Sequence, residues 1–196
     1  MSSVQNRIPA HEQILYFPKN GKPSLALNEW LIWNGSQDKD ANFQLPNLGN
    51  YKKKVLVPFN WWVQHYIEAD IQEKAKAGQI GVWFAADDDI LKHADLVEDG
   101  KKVWPLVGAH FPIFRDGRSF STAALLRDRF QWAGEIRAIG DVLIDQLLQG
   151  ARVGFDSFAL RPDQKTEVAL KQFDLFSVTT QNSWRGQRTT RATLSV

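Results

Sequence analysis

The sequence predicts an α/β protein with a mainly parallel sheet of about five strands, either open and doubly wound or part of a barrel. Three observations carry this. Short apolar runs alternate with helix-patterned segments five times between residues 55 and 176. The links between them are short and rich in Gly, Pro and Asp, and the whole alternation fits within one domain length. Crossovers in such a sheet are right-handed.

Residues 1–13 are polar and weakly patterned. Ile14 to Phe17 reads as a short strand, Lys19 to Pro23 as its turn, and Asn28 to Trp33 as another short element; Asn34 to Asn50 is loop. Residues 1–50 are therefore expected to form an N-terminal extension, 51–180 the α/β domain, and 181–196 a basic, disordered tail.

Within the domain, Val55 to Pro58 is the first strand. Asn60 is positioned to cap a helix from Trp61 to about Ala77, stopped by Gly78. Ile80 to Ala86 is the second strand. Asp87, Asp88 and Asp89 would then occupy the first turn of a short helix over Ile90 to Leu96, where the helix dipole favours acids. Leu106 to Phe114 is the third strand. Ser119 or Ser121 caps a helix running through Phe130, which Gly134 ends. Glu135 to Ile139 is the fourth strand. Leu143, Ile144, Leu147, Leu148 and Ala151 recur at helical spacing, with Gly154 as terminator. Phe155 to Leu160 is the fifth strand, and Asp163 precedes a last helix carrying Val168, Leu170, Phe173 and Phe176.

Composition narrows the function. The 196 residues are 43% apolar and 23% charged, with a net charge of +2. That charge is too small to indicate nucleic acid or an anionic membrane. Arg185, Arg188 and Arg191 supply the excess, so the body is near neutral. There is no cysteine, which excludes thiol redox chemistry, cysteine nucleophiles and cysteine-ligated iron–sulfur clusters in this chain. Met1 to Gln13 lacks a signal-like apolar core, and no run approaches the roughly 20 apolar residues of a membrane helix. A cytoplasmic protein is expected; oligomeric state leaves no mark in the sequence.

Carboxylates recur where strands are expected to end: Asp87–Asp89, Asp116, Asp141 and Asp163. In parallel α/β folds those ends share one edge, where ligands bind. Each also precedes a helix and so suits capping. Asp116, Asp141 and Asp145 are the candidate catalytic acids. Asp141 and Asp145, a helical turn apart, could share a proton or a cation, or serve as a cap and a first-turn acid. Arg115, Arg118, Ser119 and Ser121 flank a helix amino terminus and could bind phosphate, sulfate or sulfite. Alternatively, Arg118 pairs with Asp116 or Asp141 and pins the loop. Arg137 joins this anion-binding group if it reaches the carboxyl edge; otherwise it forms a buried ion pair, with Asp141 or Asp145 as the nearest acids downstream.

The histidines at 11, 65, 93 and 110 show no metal-ligand spacing, and no metal is expected. His110 reads as a strand histidine before it reads as a general base. No dinucleotide fingerprint, Walker loop or GxSxG motif occurs. The eight tryptophans suit packing, although Trp30, Trp33 or Trp61, if exposed, would mark a partner surface.

Phe111-Pro-Ile-Phe-Arg-Asp-Gly-Arg-Ser-Phe-Ser, Leu125-Leu-Arg-Asp-Arg-Phe, Gly134-Glu-Ile-Arg-Ala-Ile-Gly-Asp-Val-Leu-Ile-Asp-Gln-Leu and Gly154-Phe-Asp-Ser-Phe together resemble the bacterial domain of unknown function 934. The likeness spans roughly residues 50–180. It implies a place in assimilatory sulfite reduction, within sulfur assimilation and cysteine biosynthesis. That association rests on genes lying beside sulfite reductase and carries the label oxidoreductase. Sulfite reductase or its electron donor is the implied partner, and a non-covalent flavin or NADPH the implied cofactor if the chain is an enzyme. The resemblance supplies no catalytic residues. It often has lysine where Ile113 stands, glycine where Ser119 stands and cysteine where Val153 stands, so this chain lacks whatever those residues do.

Overall fold

The structure, a computed structural model, describes residues 13–33, 54–176 and 181–186. The expected loop over 34–50 lies outside them, as do residues 1–12 and the tail arginines 188 and 191. The five expected parallel strands are present as β4 (Lys54–Pro58), β5 (Ile80–Phe84), β6 (Leu106–Phe111), β7 (Glu135–Gly140) and β8 (Ser157–Phe158). Three further strands come from the expected N-terminal extension: β1 (Gln13–Tyr16), β2 (Ser24–Leu27) and β3 (Trp30–Ile32). They join one eight-stranded sheet in the order β2-β1-β8-β7-β6-β5-β4-β3. Among the described strands only β1 points opposite to the rest, pairing antiparallel with both β2 and β8.

The order decides between the two architectures left open by the pattern. From β3 to β8, each strand lies beside the next in sequence, with no switch point. With right-handed crossovers, that winding puts the helices on one face and curls the sheet. β2 and β3 are the two end strands, yet only Asn28 and Glu29 separate them. The Cα atoms of Leu27 and Trp30 can thus be about 11 Å apart at most. The sheet is a half-barrel whose ends are tied together.

Two packed clusters mark its two faces. Val55, Val57, Val82, Phe84, Val107, Ala109, Ile136 and Ala138 point to the helices and form the main core with Trp62, Ile71, Leu126, Leu147 and Phe155. The alternate residues Leu56 and Leu106 point to the concave side, where Trp30, Ile32 and Trp83 pack over them. This is the period-two alternation of a sheet used on both sides.

Helices depart from expectation where packing demands it. The segment after β4 is two helices, α1 (Phe59–His65) and α2 (Ala69–Lys76), and Pro58 rather than Asn60 sits at the N-cap. In one continuous helix Trp62 and Ile71, nine residues apart, would lie about 180° apart around the axis. The break lets both reach the sheet, and the Gln72 amide donates to the Tyr66 carbonyl exposed at the break (2.5 Å). The helix expected at Ile90–Leu96 is instead α3 (Ala94–Gly100). Asp88 and Asp89 shape the turn before it, accepting from the N–H groups of Ala85 (2.7 Å), and of Leu91 and Lys92 (3.1 and 3.2 Å). α4 (Arg118–Asp128) and α5 (Leu147–Val153) follow, the latter after a 3₁₀ turn at Ile144–Gln146. Gly154 closes α5 with φ +126°, a conformation that disfavours any side chain. α6 (Thr166–Leu170) starts after Asp163, whose carboxylate binds Arg161 instead of capping.

The tail also differs. Trp184 and Arg185 are docked on the domain. Arg185 donates to the carbonyls of Ala151 (3.0 Å), Phe155 (2.6 Å) and Phe17, and its guanidinium lies 3.9 Å from the Phe17 ring centre. Trp184 covers Arg127. Residues 181–186 therefore belong to the fold, because that guanidinium satisfies three carbonyls from separate elements.

Candidate functional site

The carboxyl edge of the parallel strands is where a half-barrel of this winding gathers its loops. β6 ends at Phe111, because Pro112 has no N–H to continue the ladder. The chain then turns tightly over Ile113 to Asp116, closed by the Asp116 N–H donating to the Ile113 carbonyl (2.9 Å). This turn is held from behind. Asp141 accepts the Phe114 N–H (2.8 Å), and the Gln146 amide donates to the Phe114 carbonyl (2.5 Å). Asp141 is positioned by its own N–H bonding back to Phe111 (2.8 Å) and by Gly140, whose φ of +92° makes the corner. A Cβ at Gly140 would lie 2.4 Å from the Phe111 carbonyl oxygen. Ile113 and Phe114, 39% and 45% exposed, project outward with Arg115.

The arginines are mostly committed to acids. Arg118 binds Asp116 through Nε (3.0 Å) and Nη2 (2.7 Å), while Asp116 also accepts the Arg118 N–H (3.2 Å). The guanidinium holds the Asp116 carboxyl down from 3.8 to about 2. Arg161, which sequence reasoning missed, bridges Asp141 (2.8 Å) and Asp163 (2.7 and 2.8 Å). Asp163 is likewise held down to about 2. Arg115 alone of this group makes no ion pair among the described residues.

The other sequence candidates separate. Ser119 is buried and donates to the His110 carbonyl (2.6 Å), pinning α4 to β6; Ser121, two residues on, lies exposed on the other side of that helix. Asp145 is exposed in the 3₁₀ turn, while both Asp141 oxygens are engaged elsewhere. Arg137 is not at this edge at all. It lies near the amino end of β7, 3% exposed, and binds Glu135 (2.7 and 3.1 Å), Ser157 (3.0 Å) and Asn28 (2.8 Å) on the concave side. Its partner is thus Glu135, two residues away on the same face of the strand, and neither Asp141 nor Asp145.

His110, at the carboxyl end of β6, is half-buried beside Trp83 (5.2 Å between ring centres). Burial lowers its pKa, so it is neutral near pH 7. Trp83 in turn donates its indole N–H to the Trp33 carbonyl (2.9 Å). Trp30 and Trp61 are buried, which removes them as partner-surface residues; Trp33 is partly exposed and packs edge-on against Trp61. Among the described residues no group of three His, Asp or Glu side chains could hold a metal. A flavin or nicotinamide phosphate would need cationic or backbone N–H donors turned toward it. Here Arg115, Arg118 and Arg161 are matched in number, one for one, by Asp116, Asp141 and Asp163, so the described edge lacks the net positive charge that would fit such a phosphate.

The profile of one protein family matches residues 81–191, more than half of the chain. This chain belongs to the bacterial proteins of unknown function DUF934. No curated protein and no solved structure matches it. The DUF934 match includes the whole ion-paired edge and the docked Trp184 and Arg185.

Proposed function

We propose that this DUF934 chain is an accessory protein of assimilatory sulfite reduction, and that it docks on sulfite reductase or its electron donor through the turn at Pro112–Arg115. The observation that carries the docking role is the turn itself. It is bonded from behind by Asp141 and Gln146, yet directs Ile113, Phe114 and Arg115 into solvent. Rigid aromatic and arginine side chains are the residue types that dominate protein interfaces, and a preordered loop loses little entropy on binding. The neighbouring Arg118 is neutralised by Asp116, which suits a scaffold better than an oxyanion-processing centre. The pathway and partner come from the family likeness, through the gene neighbourhood described for it.

The test is size-exclusion chromatography and titration calorimetry of the full chain with sulfite reductase holoenzyme, and separately with its electron donor. A complex that Phe114→Ala and Arg115→Glu each weaken at least tenfold, while Arg152→Ala does not, supports the reading. No complex with either protein, or a complex indifferent to both turn substitutions, overturns it. A flavin absorption band in the purified chain would favour catalysis over docking.

A further inference from the structure

A cavity of about 580 Å³ opens beside the carboxyl end of β8, between β1 and the start of α6. That size falls within the range of small-molecule sites, roughly 300–1,000 Å³. Leu160 and Pro162 give it an accessible apolar wall over the buried Leu15 and Phe158, and Arg161 and Lys165 give it two cations. Arg161 is oriented rather than consumed. Of the five N–H donors on a guanidinium, Asp141 and Asp163 take three, and the side chain remains 39% exposed. Lys165 makes no ion pair among the described residues. Asp141 and Asp163 behind Arg161, and Glu167 on the wall, make the surroundings hostile to a dianion.

We infer that this cavity binds a small organic monocarboxylate, with its carboxylate between Lys165 and the remaining N–H groups of Arg161. Its hydrocarbon part lies on Leu160 and Pro162. One negative charge matches one uncommitted lysine; the directional donors of Arg161 fix its orientation. The site is independent of the docking turn and stands whether or not a partner binds there.

The probe is 3-phenylpropionate, with 3-phenylpropionamide and inorganic phosphate as controls. Each is titrated into the full chain by calorimetry and followed by amide chemical-shift mapping. Expected are shifts centred on residues 13–15 and 158–167, no measurable binding of the amide, and weaker binding of phosphate. Lys165→Ala and Lys165→Gln, both at an exposed position, should each lower affinity about tenfold, the scale of one charge-assisted hydrogen bond. Arg118→Ala should leave affinity unchanged. The inference fails if 3-phenylpropionate does not bind at millimolar concentration, or if the amide binds within twofold of the acid. It also fails if phosphate binds tighter, if the shifts centre on Arg115 and Arg118, or if both Lys165 variants bind like the parent.

Discussion

Arg137 Nη1 donates to Asn28 Oδ1 at 2.8 Å although the two residues are 109 positions apart. Asn28 is half of the two-residue link between the end strands β2 and β3, and its same oxygen accepts the Trp30 N–H (3.1 Å). One side chain therefore shapes the link and fastens it to the concave face of β7. Asn28→Ala should remove that fastening and leave a buried guanidinium N–H unmet, at a cost of about 1–3 kcal/mol. Urea unfolding would measure it. A variant within a few tenths of the parent would mean that the link is held by strand pairing alone.

A second buried cation holds the opposite face. Arg127 spends its guanidinium on the carbonyls of Gly154, Trp132 and Gly134 and on the Asp156 carboxylate. Asp156 also accepts the Ile136 N–H (3.0 Å). Burial pushes the Asp156 carboxyl up and the Arg127 guanidinium down, each opposed by its partner. Removing the acid leaves an uncompensated buried charge. Asp156→Ala is expected to lose about 3–5 kcal/mol, read as a lower midpoint in a denaturant titration. A loss below 1 kcal/mol would show that water readily takes the place of the carboxylate.

These contacts show what could be read from the sequence. The five parallel strands were legible because their apolar runs end at Pro, Gly or Asp, local signals that need no partner. The Asp116–Arg118 pair was legible too, as one of two options, because the residues are two apart. The half-barrel was not, since strand order depends on the direction of every crossover and no residue encodes it. The acids nearest downstream of Arg137 are Asp141 and Asp145, but strand alternation puts Glu135 beside it on the same face. Arg161 is illegible for a similar reason: its bond to Asp141 spans 20 positions, and Arg-Pro-Asp reads as an ordinary turn. Arg185 lay in a stretch with no apolar period, and only the folded domain supplies its three carbonyls.

Arg185→Ala should expose those carbonyls of Phe17, Ala151 and Phe155 and release the segment from the domain. The expected loss is about 2–3 kcal/mol, because several buried acceptors lose a charged donor together. Arg185→Lys should recover only part of it, since an ammonium lacks the planar fork that spans separate carbonyls. Thermal unfolding and limited proteolysis near residue 181 would report both. Equal stability of all three proteins would reduce the docking of this segment to a surface contact.

The acid side of the stability profile should carry the signature of Asp116 and Asp163. Both carboxyls are held down from 3.8 to about 2, by Arg118 and Arg161 respectively. Between those values the unfolded chain binds more protons than the folded one, so stability rises with pH there. Their contribution is complete above about pH 4 and disappears as pH falls through about 2. The double variant Asp116→Asn, Asp163→Asn should melt below the parent at pH 5, and the gap should narrow steadily toward pH 2. His110 acts in the same direction in a different window: burial lowers its pKa from 6.5, so the stability present above that value declines as pH falls below it. His110→Gln should flatten the profile just below pH 6.5 and leave the step between pH 4 and 2 intact. If the parent and the double variant differ by the same amount at pH 5 and pH 2, the two carboxylates are not ionically held, and the ion-paired edge is an arrangement without thermodynamic weight.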